Sequence, residues 1–109
     1  MPLFGRKKDP YSGGRALLRR LDGTRIAYAA ERRADGPEKV LGKGGAVVAT
    51  EEKLSLLVAG RVVFSCPAGQ VKCGELQSGD GAIFEGIDLD TGEVRTVVAY
   101  FTSPIRRPR

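Results

Sequence analysis

Between Gly44 and Cys66 the chain reads GGAVVATEEKLSLLVAGRVVFSC. Apolar and polar residues alternate here with the period of a strand, not a helix. Ala46 to Thr50 forms one strand, Lys53 to Val58 a second and Arg61 to Cys66 a third. Glu51-Glu52 and Ala59-Gly60 are the turns between them. On the second strand Leu54, Leu56 and Val58 share one face, with Lys53, Ser55 and Leu57 on the other; Val62 and Phe64 are expected to share a face on the third. Arg25–Arg32 puts Ile26, Tyr28 and Ala30 on one face at strand period, with its alanines leaving a helix as the alternative, and a loop over Arg33–Glu38 follows. Lys39-Val40-Leu41 is expected to be a short strand and Gly42–Gly45 a turn or bulge. Val71 and Cys73 continue the pattern, and Ser78–Gly81 turns the chain. Ala82–Asp88 has Ile83 and Ile87 on one face and Phe84 on the other. Leu89–Gly92 turns the chain again. In Glu93–Phe101, Val94, Thr96, Val98 and Tyr100 share a face.

Helical spacing occurs once, in RALLRRL, where Leu17, Leu18 and Leu21 fall on one side and Arg15, Arg19 and Arg20 on the other. Ser12 is the expected N-cap and Gly23 the residue just past the C-terminus. A helix of about two turns persists only if its leucines pack on the body. These elements predict a mainly β chain: an antiparallel, partly open barrel or sandwich of about seven strands with one short N-terminal helix. Residues 1–11 are expected to be a flexible basic arm, 12–102 a single β-rich domain, and 103–109 a basic extended tail held out of a helix by Pro104 and Pro108.

The chain has 109 residues, enough for one domain with its own core, and 41% hydrophobic content with few aromatics makes that core aliphatic. No apolar run approaches the roughly 20 residues of a membrane-spanning helix. MPLFGRKKDP lacks the apolar stretch of a secretory signal, which leads to the expectation of a cytoplasmic protein. The formal net charge of +5 is unevenly placed. Residues 1–20 carry Arg6, Lys7, Lys8, Arg15, Arg19 and Arg20 against Asp9, and the last residues carry Arg106, Arg107 and Arg109. The span 21–104 holds nine Lys or Arg against twelve Asp or Glu. An acidic body with basic ends suits contact with an anionic surface through Arg6, Lys7, Lys8, Arg32, Arg33, Arg106 and Arg107. Leu3-Phe4 beside the basic run would add marginal, reversible membrane contact.

The chain contains no His and two Cys. That removes Ser-His-Asp and Cys-His catalysis, and two thiols fall short of a structural zinc site. Cys66 and Cys73 read as small core residues; a disulfide across the Pro67–Gln70 turn is the alternative. GKGG lacks the spacing of a phosphate loop and precedes a strand instead of a helix. Asp90-Thr91-Gly92 matches the aspartic-protease triplet, and Asp88-Leu89-Asp90 the start of a calcium loop. Both lie between strands, where Asp and Gly make a turn. No catalytic residue, cofactor or metal is therefore expected.

Gly45–Leu57, GAVVATEEKLSLL, resembles the Gly-apolar-apolar-x-Thr-x-x-Arg/Lys-Leu signature of bacterial pleckstrin-homology-like and GRAM-like domains, with Thr50, Lys53 and Leu54 in the diagnostic slots. The resemblance covers roughly residues 25–101. It implies a non-catalytic module that binds lipid headgroups, peptides or protein partners, peripheral to a membrane in the lipid case. It also implies a C-terminal helix closing one end of the sheet. Two prolines follow Phe101, so either that helix is absent or Arg15–Leu21 plugs the barrel instead. In that family the first hairpin loop gathers cations; here it offers Arg32, Arg33 and Lys39, diluted by Asp35 and Glu38. Separately, Arg15-x-x-x-Arg19 resembles the opening of the cyclic-dinucleotide-binding PilZ pattern, whose downstream D/N-x-S-x-x-G has no counterpart here; otherwise the pair is the outer face of the helix. The rival to anionic-surface binding is an assembly module that forms a homo-oligomer or docks on a partner through a strand edge or the helix leucines. The acidic body and the lack of spaced aromatics count against nucleic acid.

Overall fold

The computed structural model describes residues 13–33 and 35–102. The basic arm, Ser12 and the C-terminal tail lie outside the described residues, as do Arg6, Lys7, Lys8, Arg106 and Arg107. One helix, α1 (Gly14–Leu21), precedes seven strands: β1 (Arg25–Arg33), β2 (Gly36–Ala49), β3 (Lys53–Val58), β4 (Arg61–Pro67), β5 (Lys72–Glu75), β6 (Gly81–Ile87) and β7 (Val94–Phe101). All pairings are antiparallel, in the order β4-β3-β2-β1-β7-β6-β5. The sheet curls into a half-barrel, as the spacing of short strands predicts. Among the described residues no helix is long and apolar enough to cross a membrane.

Alternation builds the core. Val47, Leu54, Leu56, Val58, Phe64, Phe84, Val97 and Ala99 point inward, and α1 adds Leu17, Leu18 and Leu21. Each large side chain removed from water here contributes about 1.5–3 kcal/mol. Leu21 is fully buried, so the helix plugs one open end of the sheet. Two backbone bonds fix the plug: Gly13 N–H donates to Cys73 O and Gly23 N–H to Val47 O. The helix begins at Gly13 without a side-chain cap. It ends at Asp22–Gly23 as expected, and Asp22 Oδ1 accepts the N–H of Ala49. Cys66 and Cys73 are buried free thiols, and burial pushes both pKa values up.

Four expectations are corrected. Ile26 and Tyr28 do not share a face: Ala27 is an extra residue between the pairs Ile26–Phe101 and Tyr28–Tyr100, so Ile26 is buried in the core and Tyr28 is exposed beside Tyr100. Lys39–Leu41 and Gly42–Gly45 run unbroken into Ala46–Ala49 as one strand, because β1 keeps pairing with them and register shifts absorb the irregularity. Gly45 is needed there: a Cβ would sit 1.7 Å from Leu57 O on β3. The loop expected over Arg33–Glu38 is mostly strand: β1 runs to Arg33 and β2 already begins at Gly36, which pairs with Arg33. Finally, Val62 and Phe64 do not share a face. Leu56 pairs with Phe64 but Leu57 with Val62, so Val63 is an extra bulged residue; Phe64 turns inward and Val62 outward.

The half-barrel meets itself without a ladder. Leu89 N–H donates to Ser65 O, and Ser65 N–H donates to Asp88 Oδ1. Nearby, Gly86 lies so close to β4 that a Cβ would meet Cys66 Sγ at 2.5 Å. The turn after β6 therefore stands in for a closing strand.

Candidate functional site

Charged residues occupy both ends of the half-barrel in different ways. At the end away from α1, Arg95 lies on the inward parity of β7, shared with Val97, Ala99 and Phe101. Its Nη2 and Nε donate to Glu31 at 2.9 and 3.2 Å, and its Nη1 to Asp88 at 2.6 Å and to Val63 O at 2.9 Å. Asp88 is almost wholly buried and also accepts from Asp90 N–H and the Thr91 hydroxyl. Burial pushes the Asp88 carboxyl up, but the bonds from Arg95, Asp90 and Ser65 outweigh it and leave the pKa below its ordinary value. Hydrogen bonding by Arg95 lowers Glu31 against a smaller effect of burial. The turn reading of Asp88–Gly92 is right, and Asp88 does more than turn: it ties β4, β6 and β7 together. One guanidinium is shared by the two carboxylates, which leaves the cluster with one net negative charge, and no buried side-chain polar atom among the described residues lacks a partner.

The sequence-selected cations that can be placed are Arg32 and Arg33, at the far end of β1. Arg32 Nε donates to Glu38 at 2.9 Å. Tyr100 donates its hydroxyl to the same carboxylate and stacks on Tyr28 with ring centroids 4.5 Å apart. Arg32 is thus part of a strut on the outer sheet surface, while Arg33 is exposed beside the hairpin turn. The structure does not bring them together with the helix cations.

A different pair emerges at the plugged end. Arg15 and Arg19, one turn apart on α1, line a cleft of about 170 Å³ with Leu18, Ala49, Thr50, Glu51 and Ala68. The leucines of α1 face the core, so the helix must present these arginines outward. Small residues make room for them: Arg15 Nη2 would lie 3.2 Å from a Cβ at Gly69. Arg20 is spent on Glu75 at 2.6 Å. Arg15 and Arg19 have no ion pair among the described residues. Glu51 is the one carboxylate in the lining. Thr50 holds the opposite wall: its hydroxyl accepts the N–H groups of Glu52 and Lys53 at 3.2 and 3.1 Å and donates to Lys53 O. Thr50 is therefore fixed by the β2–β3 turn, which explains a Thr at that slot without any ligand. The cleft joins apolar lining residues to two guanidiniums that have no ion pair among the described residues, a lining suited to an anion carried on an apolar body. The signal for it in the sequence was the i, i+4 spacing of the two arginines; the Glu51-Glu52 turn was legible too, but not that the fold would bring it beside α1.

A second cleft, about 190 Å³, lies on the outer surface between Gln70, Lys72, Glu85, Gly86, Ile87 and Val94. Lys72 and Glu85 are direct cross-strand neighbours, so its charges offset. The helix leucines proposed for docking are buried within the chain. Both outer edges of the sheet are partly engaged: β4 at Val63 and Ser65, and β5 at Cys73 O. Among the described residues no group of three or more His, Cys, Asp or Glu could hold a metal ion. Compared with known proteins, the chain matches no family model, no curated protein and no solved structure.

Proposed function

We propose that the protein is a non-catalytic binding module that holds a phosphodiester anion at its helix-plugged end, through Arg15 and Arg19. One observation carries this reading: two arginines without ion pairs among the described residues line a half-apolar cleft, whereas Arg20, Arg32 and Arg95 are each committed to a carboxylate. The first source of such an anion is a lipid headgroup, in keeping with the pleckstrin-homology-like resemblance and with the basic arm that precedes α1. A cyclic dinucleotide is the second, favoured by the PilZ-like spacing of Arg15 and Arg19 and by their opening onto one cleft. The pairing is Coulombic and weakens with salt.

Co-sedimentation with phosphatidylglycerol vesicles, phosphatidylcholine vesicles as control, tests the lipid source. Calorimetry with cyclic diguanylate tests the dinucleotide. Binding to either that is lost in Arg15→Ala/Arg19→Ala supports the site and names its ligand. Binding to neither, or binding indifferent to the double substitution, rejects it.

A further inference from the structure

The strand order places β2 in the interior of the sheet, yet half of it is an edge. Pairing with β3 runs from Gly45 opposite Val58 to Ala49 opposite Leu54. One more bond, Ala59 N–H to Gly44 O, ends the contact, because Ala59-Gly60 then turns the chain away. From Gly36 to Lys43, β2 is paired with β1 on one side only. Its other side has no backbone partner among the described residues. This stretch is about 25 Å long at the usual rise. Unlike the edges of β4 and β5, it is not covered by a turn or a helix among the described residues.

The slot beside this edge is open and has a defined end. The Ala59-Gly60 turn abuts it: a Cβ on Gly42 would touch Val58 Cγ2 at 3.0 Å and Ala59 Cβ at 3.4 Å. An added strand would occupy the line that β3 leaves at Val58. Gly42 and Gly44 project no side chain across the approach. The charges flanking it are Arg33, Lys39 and Lys43 against Asp35; Arg32 and Glu38 neutralise each other, and Glu31, opposite Lys39 on β1, is paired with Arg95. A second copy pairing here would set one net-positive edge against another, which is unfavourable across a ladder. An acidic strand meets the opposite situation.

We propose that the free edge of β2, Gly36–Lys43, is a strand-addition site for an extended acidic peptide of a partner protein. Main-chain bonds to β2 hold such a peptide, and Lys39 and Lys43 select its charge. The site lies at the far end of β1 and β2 from Arg15 and Arg19 and is independent of the anion cleft.

The probe is a fluorescein-labelled peptide of alternating Glu and Val, read by anisotropy. A second probe of the same sequence is N-methylated at alternate residues and keeps its charge but lacks strand donors. The expected result is binding of the first probe, no measurable binding of the second, and about fivefold or greater weakening in Lys39→Ala/Lys43→Ala. Both lysines are exposed, and an unchanged melting temperature shows that the variant is folded. Equal binding of the two probes would reduce the effect to charge alone and overturn the proposal. So would absence of binding, indifference to the double substitution, or a concentration-dependent dimer in sedimentation that protects the same backbone amides from exchange.

Discussion

Arg95 and the pair Arg15/Arg19 carry the same functional group at opposite ends of one half-barrel, and they are held in contrasting ways. Arg95 faces inward, is mostly buried, and spends its donors on Glu31, Asp88 and Val63 O. Arg15 and Arg19 ride on the outside of a helix whose leucines do the packing. The ionic end is closed because a buried guanidinium without carboxylates is intolerable, and the reverse holds for Asp88. The helix end is closed by apolar side chains, so its arginines are not needed for the fold. Burial and partnering thus separate structural charge from charge available to a ligand, a distinction that net charge and composition miss.

Substitutions can break that contrast from either side. Arg95→Ala has the largest expected effect, about 3–5 kcal/mol of lost stability, because Asp88 stays buried without its counter-ion. Urea or thermal denaturation measures it. Leu21→Ala removes the centre of the apolar plug and should cost about 2–5 kcal/mol by the same measurement. The two are told apart by pH. In the folded protein Glu31 and Asp88 titrate below their ordinary values of 4.5 and 3.8. A lowered folded pKa adds stability above the unfolded value, and that stability is lost as pH falls through the folded one. Wild type and Leu21→Ala should therefore lose stability together as pH drops below about 4.5, the ordinary value of Glu31. Arg95→Ala should show a flatter acid limb; an unchanged limb would remove Arg95 as the source. The smallest expected stability effect belongs to Arg15→Ala/Arg19→Ala, within about 0.5 kcal/mol, despite its loss of anion binding. A large drop in its melting temperature would mean that these arginines serve the fold after all.

Much of the fold was legible because its strands alternate. The turns at Glu51-Glu52 and Ala59-Gly60 and the helix through Leu17, Leu18 and Leu21 stand where periodicity put them. Long-range consequences were not legible. The bulge at Val63 reverses a face with no change in composition, and only the pairing of Leu57 with Val62 reveals it. Glycines at 42, 44 and 45 read locally as a turn or bulge; β1 carries the strand through them without a turn, with the irregularity at Leu41 beside Gly42. The ionic end left one trace: Arg95 stands on the parity of Val97 and Ala99, and an inward cation demands an inward acid. Its partners, 64 residues away at Glu31 and seven at Asp88, depend on the curl of the sheet. For the anion cleft, spacing showed two arginines on one helical face. It could not show that Arg20, next in sequence to Arg19, is tied to Glu75 while Arg15 and Arg19 have no such pair among the described residues.

The contrast between the two ends is tested most directly by the side-chain Nε–Hε resonances of the arginines, followed by NMR while a short-chain phosphatidylglycerol, or in a second arm cyclic diguanylate, is added. Arg15 and Arg19 should shift in a saturable way with one of the two while Arg95 stays in place. Arginines 15 and 19 unmoved by both ligands, or Arg95 moving along with them, would contradict the assignment of binding to the helix-plugged end.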